Sequence, residues 1–113
     1  CSKLHLPGYV ANADKIKAKG IDNIFCLSVN DPFVMNAWGE ANNAGGKITM
    51  LSDPYLLFTK AIGAEVDRNS KGMGIRSNRY AMVIENFEVV NIQVEKETKQ
   101  CELSSALGIL EQL

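Results

Sequence analysis

An α/β fold follows from three observations on this sequence. Segments with helical spacing alternate with short β-forming runs, in the order helix, strand, helix, strand, helix, strand, strand, helix. Asn30-Asp31-Pro32 and Ser52-Asp53-Pro54 repeat one helix-start signal, a capping side chain followed by proline. The last two strands follow one another directly across Asn86-Phe87, as in a hairpin. Strands separated by helices pair in parallel beneath them, and strands joined by a tight turn pair antiparallel. The predicted sheet is therefore mixed, with helices on both faces.

Taken in order, residues 2–19 suit a helix, irregular around Pro7-Gly8. Val10, Ala13, Ile16 and Lys17 share one face, and Gly20 is the C-terminal stop. Residues 21–29 are rich in β-formers and apolar throughout, as a strand covered on both faces is. Asn30-Asp31 caps the next helix, with Pro32 in a first turn where a missing N–H does no harm. Val34, Ala37, Trp38 and Ala41 follow at helical spacing, and residues 42–46 end the helix. Residues 47–51 are a short strand, and a third helix runs from Ser52-Asp53-Pro54 to Gly63. Residues 67–77 are polar and contain glycine, which predicts a loop. Residues 80–84 and 89–94 form the hairpin, supported by the alternation of Val90, Ile92 and Val94. Residues 95–99 mix charge signs and read as a solvated turn. Ser104-Ser105 caps a last helix to Leu113, with Leu107, Leu110 and Leu103 expected inward.

Composition narrows the function. A length of 113 residues fits one domain with a single modest core, and 46% hydrophobic residues argue against disorder. A net charge of −1 with interleaved signs offers no clustered basic face for nucleic acid. Apolar runs such as Ile24-Phe25-Cys26-Leu27 are far too short to span a bilayer, so no membrane is expected. The sequence starts at Cys rather than Met, so a leader is not legible and the compartment stays open, intracellular in the cytoplasm or an organelle. Three cysteines, Cys1, Cys26 and Cys101, lack any CxxC, and there is one histidine. That is neither a secreted disulfide framework nor a zinc site, and no cofactor is called for. Thiols in a reducing compartment, some merely buried, is the plainest reading.

Cys1 stands just ahead of a helix, where first-turn amides and the helix dipole favour thiolate over thiol. The thiolate is the form that attacks a peroxide oxygen. His5 reads as a packed or hydrogen-bonded helix residue, and Phe33 and Trp38 as core or subunit-contact groups. Gly72-Met73-Gly74 is too short for a phosphate loop and instead allows a tight loop leading to Arg76 and Arg79.

Several blocks then carry a resemblance. They are Cys1-Ser2-Lys3-Leu4-His5-Leu6-Pro7-Gly8-Tyr9, the stretch from Ile24 to Trp38 with Asn30-Asp31-Pro32-Phe33, Leu51-Ser52-Asp53-Pro54, Gly72-Met73-Gly74-Ile75-Arg76-Ser77, and Arg79-Tyr80-Ala81-Met82-Val83-Ile84. In order and across essentially the whole chain, they resemble the atypical, type II (Prx5-like) peroxiredoxins of the AhpC/TSA-redoxin superfamily. The resemblance implies a thioredoxin-like fold, a mixed sheet flanked by helices, in a single domain over residues 1–113. It implies a thiol peroxidase that reduces hydrogen peroxide and organic hydroperoxides through a cysteine sulfenic acid. Cys1 matches the peroxidatic cysteine. Arg79 matches the arginine that stabilises the thiolate and orients the peroxide; without the resemblance it is an ordinary cation at a strand start. Cys26 matches the second cysteine of plant and bacterial members, which can resolve the sulfenic acid, and is otherwise a buried, inert thiol. Cys101 lies two residues before the C-terminal resolving cysteine of animal members and is otherwise a thiol with no role. The implied partners are peroxides, a glutaredoxin/glutathione or thioredoxin reductant, and a second copy in a homodimer.

The sequence also departs from that pattern. The family motif Pro-x-x-x-Thr-x-x-Cys sets its proline and threonine before the cysteine, and here nothing precedes Cys1. Leu4 stands where a polar residue is usual. N-terminal strands, including a central one, are therefore expected that these residues do not encode. The chain is then either one piece of a longer protein or a truncated, inactive form. The alternative function is a non-catalytic redox-sensing or interaction module that keeps only the fold.

Overall fold

The computed structural model describes residues 4–96 and 101–113. Its elements are α1 (His5–Ala18), β1 (Phe25–Ser28), α2 (Pro32–Ala41), β2 (Thr49–Ser52), α3 (Leu57–Ala61), β3 (Glu65–Arg68), a short 3-10 turn (Asn69–Lys71), β4 (Gly74–Ser77), β5 (Tyr80–Glu85), β6 (Glu88–Val94) and α4 (Ala106–Gln112). The α/β class expected from the sequence is the one observed. The chain divides into two compact units, one of Asn23–Asn78 and one that combines α1 with β5, β6 and α4.

In the unit Asn23–Asn78, β1 and β2 pair in parallel, Phe25 opposite Thr49 through Ser28 opposite Ser52. The Asp31 carboxylate accepts the Val34 N–H at 2.9 Å and Pro32 opens α2, as the cap-and-proline signal requires. The face of α2 that is buried differs from the one expected. Met35 and Gly39 are buried, whereas Val34, Ala37 and Ala41 are exposed and Trp38 is half-buried. Gly39 explains the choice: a Cβ there would stand 2.8 Å from Met50 Cγ, so the bare backbone lets α2 close on β2. Phe33 is 86% exposed and is no core residue of this unit.

The third helix starts later than Ser52-Asp53-Pro54 indicates. The chain turns through Leu56, at φ 58°, before α3 begins at Leu57. Asp53 still caps it, from outside the helix: its buried carboxylate accepts the Thr59 N–H at 2.8 Å, the Thr59 hydroxyl at 2.6 Å and the Phe58 N–H at 3.3 Å. The loop expected over 67–77 is in fact the second half of an antiparallel hairpin, β3 with β4, Glu65 opposite Ser77. Gly72 and Gly74, both at positive φ, close it. Its strands are polar and only half-buried, so they lack the apolar alternation by which strands are recognised.

In the other unit, α1 runs unbroken through Pro7-Gly8. Pro7 is the third helical residue, where an N–H has no intrahelical acceptor. Leu6, Ala13 and Ile16 are buried on one face, and Gly20 at φ 97° donates to Lys17 O to end the helix. β5 and β6 form the predicted hairpin, with Asn86 and Phe87 at φ 52° and 67°, the left-handed pair of a type I′ turn. Ser105 caps α4 by accepting the Gly108 N–H at 3.0 Å. Ala106 and Ile109 are the buried residues of α4, while Leu107 and Leu103 are exposed, correcting the expected inward face. Glu95 corrects the expected solvated turn: it is 4% exposed. The rest of that turn, from 97, lies outside the described residues.

Candidate active site

Cys1 lies outside the described residues. The first turn of α1, which it precedes, is bonded into a part-buried polar cluster. His5 Nε2 donates to the Ser104 carbonyl at 3.0 Å, with Ser104 Oγ 3.1 Å away. Tyr9, one turn on, donates its hydroxyl to the same carbonyl at 2.6 Å. The His5 and Tyr9 rings meet edge to face, 5.5 Å between centroids. From the end of β6, both Glu95 carboxylate oxygens accept the Glu102 N–H at 3.1 Å, and Oε1 also accepts the Ser104 N–H at 2.8 Å. Ser104, with no exposed surface, is thus gripped at both its N–H and its carbonyl.

Arg79 immediately precedes β5 and is half-buried. Its carbonyl accepts the Glu95 N–H at 3.0 Å, which extends the β5–β6 ladder by one rung and sets Arg79 opposite Glu95. Burial pushes the His5 imidazole below its ordinary value, and the Arg79 charge adds to that against the Ser104 bond and the Glu95 carboxylate. Burial pushes the Glu95 carboxyl up, but the N–H groups of Ser104, Glu102 and Leu103 and the nearby His5 outweigh it and hold it low. Both shifts favour a Glu95 carboxylate and an uncharged His5 imidazole in the cluster at the first turn of α1.

Arg76 has a different task in the other unit. Its Nη1 donates to Asn30 Oδ1 at 2.9 Å and its Nε to the Met73 carbonyl at 2.8 Å. Asn30 in turn donates from its backbone N–H (3.1 Å) and Nδ2 (2.9 Å) to Ser28 Oγ, and its carbonyl accepts the Ser52 hydroxyl. Arg76 thus ties the β3–β4 hairpin to the chain where β1 and β2 end.

Cys26 lies in β1 opposite Met50, half-buried and not in a disulfide. Burial pushes its thiol up to about 11. Such a thiol is almost wholly protonated near neutrality and a poor nucleophile while β1 stays folded. Cys101 is half-buried and free as well. Among the described residues no three His, Cys, Asp or Glu side chains converge to hold a metal ion, and no helix is long and apolar enough to cross a membrane.

The cluster residues Glu95, Ser104 and Tyr9 are not legible as site residues in the sequence. Glu95 is hidden in a run of mixed charge, and its only signal is its place nine residues ahead of a helix-capping serine pair.

Comparison with known proteins adds to this geometry. A family model described as Redoxin matches residues 1–110. Peroxiredoxin-2C of Oryza sativa subsp. japonica is 42% identical over all of this chain and 69% of its own length. The crystal structure of reduced Prx3 of Vibrio vulnificus in complex with H2O2 is 51% identical, with a TM-score of 0.92 over 98% of this chain and 67% of that one. Peroxiredoxin 5 of Alvinella pompejana is 37% identical, with a TM-score of 0.83 over 95% of this chain and 66% of that one. The chain thus spans about two thirds of the length of these relatives. Other rice relatives are named as chloroplastic and mitochondrial forms.

Proposed function

The chain belongs to the Redoxin family as a Prx5-like peroxiredoxin of thioredoxin-like fold, and on that premise we propose that Cys1 is its peroxidatic nucleophile and Arg79 the cation that serves it. The family function is that of a thiol-dependent peroxidase, with peroxides as substrates and a thioredoxin-type reductant as electron source. In the proposed step the Cys1 thiolate attacks one peroxide oxygen and the O–O bond breaks. A sulfenic acid forms on Cys1, and the other oxygen leaves with a proton as water or an alcohol. A fixed guanidinium lowers the thiol pKa and donates to the leaving oxygen. A second thiol then attacks the sulfenic sulfur, expels water and forms a disulfide that the reductant opens. We assign that second thiol to Cys26, whose buried and protonated thiol requires β1 to open before it can attack.

The observation that supports the assignment of Arg79 most is its place. Its carbonyl accepts the Glu95 N–H, and the Glu95 carboxylate holds the Ser104 peptide whose carbonyl is bonded by His5, in the first turn of the helix that follows Cys1. Arg76 is instead committed to Asn30 and Met73. We read residues 1–113 as a single peroxiredoxin domain that acts as a homodimer. Its reductant is glutaredoxin with glutathione, or thioredoxin, in the cytoplasm or an organelle. Replacing Cys1 with serine in the intact protein tests the central role. The variant loses peroxide reduction, while Cys26→Ser and Cys101→Ser keep the first oxidation step. A Cys26→Ser variant that loses sulfenic acid formation, with Cys1→Ser retaining it, transfers the role to Cys26.

A further inference from the structure

Glu95 is a buried anion that neither the fold class nor the peroxidase step requires. A carboxylate at 4% exposure is retained only where it is fully bonded, and here it holds the N–H groups of Ser104 and Glu102. The Ser104 peptide passes that hold on, because its carbonyl takes the His5 and Tyr9 bonds from α1. Glu95's own N–H is bonded to Arg79 O. One residue thereby connects the two parts whose separation decides the chemistry: the turn after Cys1 and the strand start that bears Arg79.

We propose that Glu95 is a positioning residue for the peroxidase reaction: through the Ser104 peptide it holds the first turn of α1, the turn that follows Cys1 in the sequence, against the strand start that bears Arg79. The inference rests on the roles given above to Cys1 and Arg79. The ionisable groups around Glu95 are His5 and Tyr9 on α1, Arg79 at the start of β5, and Lys96, Cys101 and Glu102 along its own stretch of chain. Without the carboxylate, the buried Ser104 N–H and the part-buried Glu102 N–H lose their acceptor and the 101–105 segment loosens. His5 and Tyr9 then lose a fixed partner, and the turn that follows Cys1 is no longer held against the strand start that bears Arg79.

The test is the pH profile of the second-order rate of Cys1 oxidation by hydrogen peroxide in the intact protein, whose midpoint reports the Cys1 thiol. Glu95→Ala moves that midpoint up by about one unit and slows oxidation at lower pH about tenfold. Glu95→Gln, which keeps one acceptor oxygen, restores part of the shift, and Tyr9→Phe, removing a single bond, moves it a little in the same direction. Tyr9→Phe also serves should Glu95→Ala fold poorly. A lower melting temperature with an unchanged midpoint in these variants overturns the inference, because the cluster is then only structural. A wild-type profile with no thiol titrating below free cysteine, or oxidation that persists in Cys1→Ser, overturns the assignment of Cys1 and takes this inference with it.

Discussion

The Glu95 carboxylate accepts the backbone N–H of Ser104 at 2.8 Å, nine residues further along the chain. Because the Ser104 carbonyl is held by His5 and Tyr9, this bond joins the C-terminal segment to the helix that follows Cys1. The segment can only take this path because of Gly108. A Cβ at that position would stand 2.5 Å from Glu102 O and 2.7 Å from Leu103 O, both backbone atoms that cannot swing aside.

Gly108→Ala should therefore destabilise the protein by about 1–3 kcal/mol, as overpacking does, despite a helix-propensity gain of about 1 kcal/mol. Thermal melting of the variant checks this. A higher melting temperature would mean that propensity, not the close approach, governs the site.

Acid should weaken the fold through Asp53 as well as Glu95. Burial pushes the Asp53 carboxyl up, but the Thr59 hydroxyl and the N–H groups of Thr59, Phe58 and Leu57 outweigh it and hold it low. A carboxyl with a lower pKa folded than unfolded makes the unfolded chain take up protons first as pH falls. Its stabilisation is complete above about pH 5 and is lost as pH drops through the unfolded values, about 4, towards the folded ones. Asp53→Asn should then cost most stability at neutral pH and progressively less towards about pH 3. Urea unfolding of both forms across that range measures it, and a constant difference would contradict the assignment.

Much of the fold is legible in the sequence. Asp31-Pro32 and Ser105 work as helix starts because their capping oxygens reach an N–H three residues on, a purely local relation. The Asn86-Phe87 turn is equally local. The errors fall where distant groups decide. Asp53 caps α3 from six residues away, Met50 selects which face of α2 is buried, and Glu95 is drawn inside by a peptide nine residues on. For the site, the resemblance supplies Cys1, Arg79 and Cys26, since no periodicity marks a reactive thiol. The cluster around Ser104 depends on contacts spanning up to 99 positions, which spacing along the chain does not encode.

Cys26 should be almost inert in the folded protein. With its thiol pushed up to about 11, its thiolate fraction near pH 8 is on the order of one in a thousand. Iodoacetamide should label it at least about a hundred times more slowly than free cysteine, and at an ordinary rate once urea unfolds β1. Mass mapping of the labelled peptides separates it from Cys101. Labelling of native Cys26 at the free-cysteine rate would remove the need for β1 to open during resolution.

The two arginines should separate cleanly. Arg79→Met raises the Cys1 thiol and slows peroxide attack about tenfold or more, one lost charge contact being worth about 1.4 kcal/mol. Arg76→Met loosens the β3–β4 hairpin from Asn30 and changes the rate less. Titration of thiolate absorbance in both variants ranks them, and the reverse order would move the role to Arg76.

The most direct measurement is the reaction of the intact, reduced protein with one equivalent of hydrogen peroxide, with trapping of sulfenic acid and mass mapping of the three cysteines. A peroxidatic Cys1 predicts consumption far faster than by free cysteine, with the first oxygen on Cys1 and none on Cys26 or Cys101. Consumption at the free-cysteine rate, or the first label on Cys26, would contradict it.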